Sequence, residues 1–139
     1  MGARFTLQQF SEIFQIRNPV GRLYVLIGGQ AVNYWAERYL ATEAGLKKFA
    51  PFTSQDIDFR GNRDDVSHIA GQLKLAPAFP PKVALTALAG AIPLRLDDEE
   101  TSIEIVRSIP GVTASMVDSL AIEMAWNDET IRCSIRFHS

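Results

Sequence analysis

Two carboxylates two positions apart and interleaved with Ile57 and Phe59, in Phe52-Thr53-Ser54-Gln55-Asp56-Ile57-Asp58-Phe59, are the residues of this chain best suited to chemistry. In a strand successive side chains alternate faces, so Asp56 and Asp58 point the same way, about 6.6 Å apart along the backbone, while Ile57 and Phe59 turn to the core. Like charges so close repel and raise each other's pKa unless a cation lies between them. A hard divalent cation, Mg²⁺ or Mn²⁺, answers that need, since Mg²⁺ is usually held by one or two carboxylates together with substrate phosphates. Upstream, Tyr24-Val25-Leu26-Ile27-Gly28-Gly29-Gln30-Ala31 is an apolar run broken by a Gly pair that opens a helical pattern. A backbone without Cβ lets a phosphate approach the unpaired N–H groups of a helix start. One piece suits a metal and the other a phosphate.

A third carboxylate joins them. Glu104 stands between Ile103 and Ile105 in a β-like run, where an acidic side chain is costly unless paired, and it is the candidate third metal ligand. Asp97 and Asp98 compete for that role, but the run Asp97-Asp98-Glu99-Glu100 reads as a solvated hairpin tip. Lys47 and Lys48 lie in a long connector within which they can approach phosphates, although a lysine pair in a loop is ordinarily just solvated.

The order strand, Gly28-Gly29, helix, then Thr53-Ser54-Gln55-Asp56-Ile57-Asp58 resembles the signature of the nucleotidyltransferase superfamily that includes DNA polymerase beta-like enzymes. It is most similar to the branch of AbiEii-type toxin nucleotidyltransferases and minimal nucleotidyltransferases. The resemblance implies a metal site of Asp56, Asp58 and Glu104, the last at a position where the family most often carries Asp. It also implies a nucleotide site of Gly28, Gly29, Thr53 and Ser54; the two hydroxyls have an equally good reading as a strand cap or turn. The implied activity is transfer of a nucleoside monophosphate from an NTP to a hydroxyl on an RNA end such as tRNA, a protein side chain or a small molecule. A role as the toxin of a toxin–antitoxin pair, with a cognate antitoxin as partner, goes with that branch. The alternative is a catalytically degenerate domain that keeps the scaffold and serves as a partner-binding or regulatory module. Relatives in the toxin branch continue into a helical region, so the chain is expected to be either a small version or an excised domain.

Those residues need elements to hold them. Thr6 and Gln9 stand at capping-box spacing, and Phe10, Ile13 and Phe14 follow at helical spacing, which predicts a first amphipathic helix ending at Asn18-Pro19. Residues 20–27 read as a strand central in a sheet, and residues 30–40 as a helix with Ala31, Val32, Trp35 and Tyr39 on its buried stripe. Residues 41–53 form a connector, and Asn62 and Asp65 cap a helix that buries Val66, Ile69, Ala70 and Leu73. Residues 83–91 are ambiguous between strand and short helix, 92–97 and 102–106 form a hairpin, and 121–126 and 131–137 form a closing hairpin. Residues 109–112 make a turn, followed by a short segment over 116–120. The fold class is α/β (α+β): a mixed twisted sheet with helices mainly on one face and the acidic cluster at an open edge.

With 139 residues the chain suits a single domain over 1–139. Hydrophobic residues at 47% and charged ones at 22% are ordinary globular values, and a net charge of −2 argues against a broadly basic nucleic-acid grip. The single Cys133 excludes an intrachain disulfide. No apolar run approaches the ~20 residues of a membrane span, so a cytoplasmic protein with no membrane partner is expected.

Overall fold

The elements form because apolar residues alternate along short strands and recur along two helices that meet on one face of them. A computed structural model describes residues 3–40, 42–81, 86–107, 121–126 and 129–134. Six strands, β1 (Leu26–Ile27), β2 (Ile57–Arg60), β3 (Leu88–Leu96), β4 (Glu99–Val106), β5 (Ala121–Trp126) and β6 (Glu129–Ser134), make one mixed sheet in the order β3-β4-β2-β1-β6-β5. The β1–β6 and β2–β4 pairs are parallel, and the β1–β2, β3–β4 and β5–β6 pairs are antiparallel. Helices α1 (Gly28–Tyr39) and α2 (Arg63–Leu73) cover the sheet. Among the described residues no helix is long and apolar enough to cross a membrane.

The two helices cover the same face. Ala31 and Tyr34 of α1 and Val66, Ile69 and Ala70 of α2 share one buried cluster with Leu26, Ile57, Phe59, Ile103, Ile105 and Cys133 from the strands. Because Ile57 and Phe59 turn to that side, Asp58 and Arg60 turn to the other, and the in-register pairing of Asp58 with Glu104 puts those carboxyls on neighbouring strands of the same face. The expected open edge is thus corrected. β2 and β4 are interior strands, and the acidic residues lie on the face opposite the helices.

Several element boundaries differ from expectation. The first helix is two short 3₁₀ turns, Leu7–Phe10 and Ile13–Gln15, although Thr6 and Gln9 do form the capping box, with the Thr6 N–H donating to Gln9 Oε1 at 2.9 Å. The expected strand over 20–27 contracts to Leu26–Ile27, because Asn18 Oδ1 accepts from the N–H groups of Val20 and Arg22 and holds the preceding residues in a turn. The stripe of α1 is rotated from the expected one: Val32 and Tyr39 are more than half exposed, and the polar Gln30 and Asn33 are buried in their place. Gln30 Nε2 donates to the Phe5 carbonyl and Asn33 Nδ2 to Gln30 Oε1, both at 3.0 Å, and these bonds let amide side chains replace apolar ones.

The connector contains a 3₁₀ turn, Ala44–Phe49, and the ambiguous run joins β3 from Leu88 onward. The expected turn at 109–112, the segment at 116–120, the start of the run at 83–85, the tip of the last hairpin at 127–128 and its end at 135–137 lie outside the described residues.

The start of α2 is as its sequence predicts. The Asp65 N–H donates to Asn62 Oδ1 at 3.1 Å and the Asn62 N–H to Asp65 Oδ2 at 2.8 Å, closing a reciprocal cap. Asn62→Ala is expected to cost about 1 kcal/mol and lower the melting temperature by a few degrees, whereas Asn62→Asp stays close to wild type in the same denaturation experiment.

Candidate functional site

The loop that delivers Asp56 is held at every carbonyl. Arg4 donates to the Thr53 carbonyl at 2.6 Å, the Phe5 N–H to that of Ser54 at 2.8 Å, Thr101 Oγ1 to that of Gln55 at 2.7 Å and Ser54 Oγ to that of Asp56 at 2.8 Å. Three bonds from two remote parts of the chain and one from within the loop leave it little freedom, so the Asp56 side chain is aimed before any ligand arrives. Asp56 itself precedes β2 by one residue, a small correction to its expected place inside the strand. Asp58 is carried by β2, and Glu104 by β4 directly across from it.

These three carboxyls converge. One oxygen from each of Asp56, Asp58 and Glu104 lies within 4.8 Å of the others, and all three side chains are half-buried. Burial first, and then the charge of Asp56, push the Asp58 carboxyl up to about 7. Glu104 is pushed up to about 8, first by a hydrogen bond in which its protonated carboxyl donates to Asp56, then by burial and by the charges of Asp56 and Asp58. Without a cation, protons do the work of neutralising the cluster. Oxygen donors of this kind and number suit a hard ion such as Mg²⁺ or Mn²⁺ in preference to a soft one.

Gly28 belongs to the same site. Its φ of +70° is a left-handed conformation, and a Cβ placed there would collide with Asp58 Oδ2 and lie 3.2 Å from its Cγ. The glycine therefore lets the first turn of α1 come up against the carboxylate, where the positive end of the helix offsets part of its charge. A Cβ on Gly29 would come within 3.1 Å of Ser54 Cβ, so the second glycine seats the Asp56 loop against the same turn. Both glycines are exposed, leaving the helix start open to an approaching anion.

The other expected site residues have other places. Thr53 Oγ1 accepts from Arg4 Nε at 2.9 Å, and Ser54 makes its bond within the loop, so both hydroxyls hold the loop that carries Asp56. Asp97 and Asp98 form the β3–β4 turn with positive φ, where Asp97 Oδ2 accepts from Gln9 Nε2 at 2.7 Å, and neither joins the cluster. Lys47 and Lys48 are exposed on the 3₁₀ turn of the connector. Sequence reasoning missed Arg4, Phe5 and Thr101, which fix the loop through contacts remote in sequence. It also missed Arg60, which the alternation Asp58-x-Arg60 places on the acidic face. No family model, no curated protein and no solved structure matches the chain.

Two outcomes follow from this geometry. Because folding raises the pKa of Asp58 and Glu104 from 3.8 and 4.5 to about 7 and 8, the stability that goes with their protonated forms is complete at low pH and lost as pH rises through 7 and 8. In EDTA the wild-type melting temperature should therefore fall relative to Asp58→Asn between about pH 4 and 8, and Mg²⁺, which needs the ionised carboxylates, should reverse the trend in the same thermal scans. Gly28→Ala is expected to destabilise by about 1–3 kcal/mol through the left-handed backbone alone, and to weaken metal binding by displacing Asp58; chemical denaturation and a Mn²⁺ titration measure the two effects.

Proposed function

We propose that the chain is a metal-dependent nucleotidyltransferase of the polymerase beta-like type, moving a nucleoside monophosphate from an NTP to a hydroxyl. The observation that carries the proposal is the convergence of Asp56, Asp58 and Glu104 beside the glycine-lined start of α1. A carboxylate cluster alone has many uses. A carboxylate cluster next to an exposed helix N-terminus that only glycine permits offers a cation site and an anion site side by side, which is what a metal–triphosphate complex requires. The mixed sheet carrying both on interior strands accords with the same superfamily scaffold.

Asp56, Asp58 and Glu104 would hold the ions, and these would supply charge neutralisation for the triphosphate and for the attacking and leaving oxygens. The N–H groups of the first α1 turn orient the phosphates, with Gly28 and Gly29 giving them room. The four-bonded loop keeps Asp56 in place, so that positioning does not have to be acquired during the reaction. The acceptor oxygen forms a bond to the α-phosphorus as the bond to pyrophosphate breaks, and the hydroxyl proton passes to a carboxylate of the cluster. The acceptor belongs to the class of RNA ends, protein side chains or small molecules, and a cognate antitoxin is the partner that a toxin role would bring.

Glu104→Gln gives the sharpest test. It should lower NTP turnover by at least about a hundredfold and weaken the Mn²⁺-dependent thermal shift seen with a non-hydrolysable NTP, while Asp98→Asn at the hairpin tip leaves both within about twofold. Glu104→Asp should keep much of the activity. Wild-type turnover in Glu104→Gln, or equal NTP binding in EDTA and in Mg²⁺, would contradict the proposal and leave a partner-binding domain as the better reading.

A further inference from the structure

Where β2 ends, the chain forms a second concavity that nucleotidyl transfer does not use. Its volume is about 250 Å³, and Arg22, Arg60 and Arg132 line it together with Asn18, Tyr24 and Asp65. Among the described residues, the one carboxylate that lines it, Asp65, is already engaged on both oxygens. Asp65 Oδ1 accepts from the Tyr24 hydroxyl at 3.0 Å, and its Oδ2 accepts from the Asn62 N–H. Burial and the Asp65 charge both raise the Tyr24 pKa, so the phenol stays protonated and keeps donating.

Arg60 is the informative residue. Its Nε is shielded from solvent and has no hydrogen-bond partner, and among the described residues its guanidinium makes no ion pair. A donor shielded from solvent and left unpaired is costly, so such a group in a native protein calls for a partner that arrives from outside. The other two arginines are differently placed: Arg132 donates to the Leu23 carbonyl at 3.3 Å, and Arg22 faces Glu123 at 3.6 Å in an exposed pair of little strength.

We propose that this pocket is a site for one phosphate group, gripped by Arg60 with Arg22 and Arg132 around it. The planar guanidinium fork matches a phosphate through two parallel N–H···O bonds, which a lysine cannot reproduce. The size agrees: sites for whole drug-sized ligands run about 300–1,000 Å³, so 250 Å³ suits a phosphate with the atoms next to it. The site stands apart from the carboxylates and does not depend on nucleotidyl transfer. Arg60 follows Asp58 by two residues on one strand face, about 6.6 Å along the backbone, which is close enough for one ligand to span both. A free phosphate or mononucleotide and the backbone of a nucleic acid share this chemistry.

Thermal shifts on the full chain in EDTA test the site, with inorganic phosphate compared against chloride at matched ionic strength. Phosphate at about 20 mM should raise the melting temperature by a few degrees beyond chloride. Arg60→Gln should shift the phosphate midpoint at least about tenfold upward, Arg60→Lys should recover only part of the loss, and Asp98→Asn at the exposed hairpin tip should respond as wild type. Arg60→Gln should fold, because Arg60 Nε makes no hydrogen bond and its guanidinium makes no ion pair among the described residues, and circular dichroism checks this. Arg22→Gln at the exposed rim gives an independent reading, with a loss of about threefold. Adenosine monophosphate and a short oligonucleotide separate the sources: an oligonucleotide midpoint more than about tenfold lower assigns a backbone phosphate, equal midpoints assign a mononucleotide, and both must vanish together in Arg60→Gln. No response to phosphate beyond chloride, or an unchanged response in both Arg60→Gln and Arg22→Gln, would overturn the proposal.

Discussion

Mutual repulsion among three carboxyls held within 4.8 Å is the constraint on which the rest of this structure depends. At an effective dielectric of about 20, two unit charges that close repel by about 3 kcal/mol, against a whole-domain stability of about 5–15 kcal/mol. Three ionised groups would make the arrangement untenable. The cluster therefore exists in one of two conditions, carrying protons or holding a cation. Its scaffold explains why the side chains do not simply turn away. Asp58 and Glu104 are fixed by register between parallel interior strands whose other faces are buried, and Asp56 by a loop with all four carbonyls bonded.

The same packing carries the site's second half. The strand that ends at Ile27 turns into α1 through Gly28, and only the absence of a Cβ allows that turn to rest on Asp58. The positive helix start and the negative cluster thereby become neighbours, each partly relieving the other before a ligand is bound. Hydrophobic burial of Ile57, Phe59, Ile103 and Ile105 on the helix-covered face holds the frame, and a smaller apolar cluster of Val25 and Ile27 packs on the face that carries the carboxyls.

The carboxylate cluster was more legible in the sequence than the elements around it. Asp56, Asp58 and Glu104 stood out because an acidic side chain among Ile and Phe is costly, and the alternation that exposed the cost also set the shared face. The capping pairs Thr6–Gln9 and Asn62–Asp65 were legible because local geometry alone determines them. The phase of α1 was not. Gln30 and Asn33 are buried through bonds to Phe5 and to each other, and a partner so far away in the chain leaves no periodic signal. The same reason hid Arg4, Phe5 and Thr101. The strand leading to Gly28 was overextended because Asn18 breaks the pattern through side-chain acceptors, which hydrophobicity does not register. The open edge was misplaced because strand order depends on crossovers that local sequence does not encode.

A crystal structure of the chain grown with Mn²⁺ and a non-hydrolysable NTP, with anomalous scattering recorded at the manganese edge, tests the central claim most directly. The account requires a manganese peak bonded to oxygens of Asp56 and Asp58, with Glu104 ionised and turned to the same ion and the triphosphate lying against the first turn of α1. A carboxylate cluster free of manganese while the nucleotide binds elsewhere would contradict it.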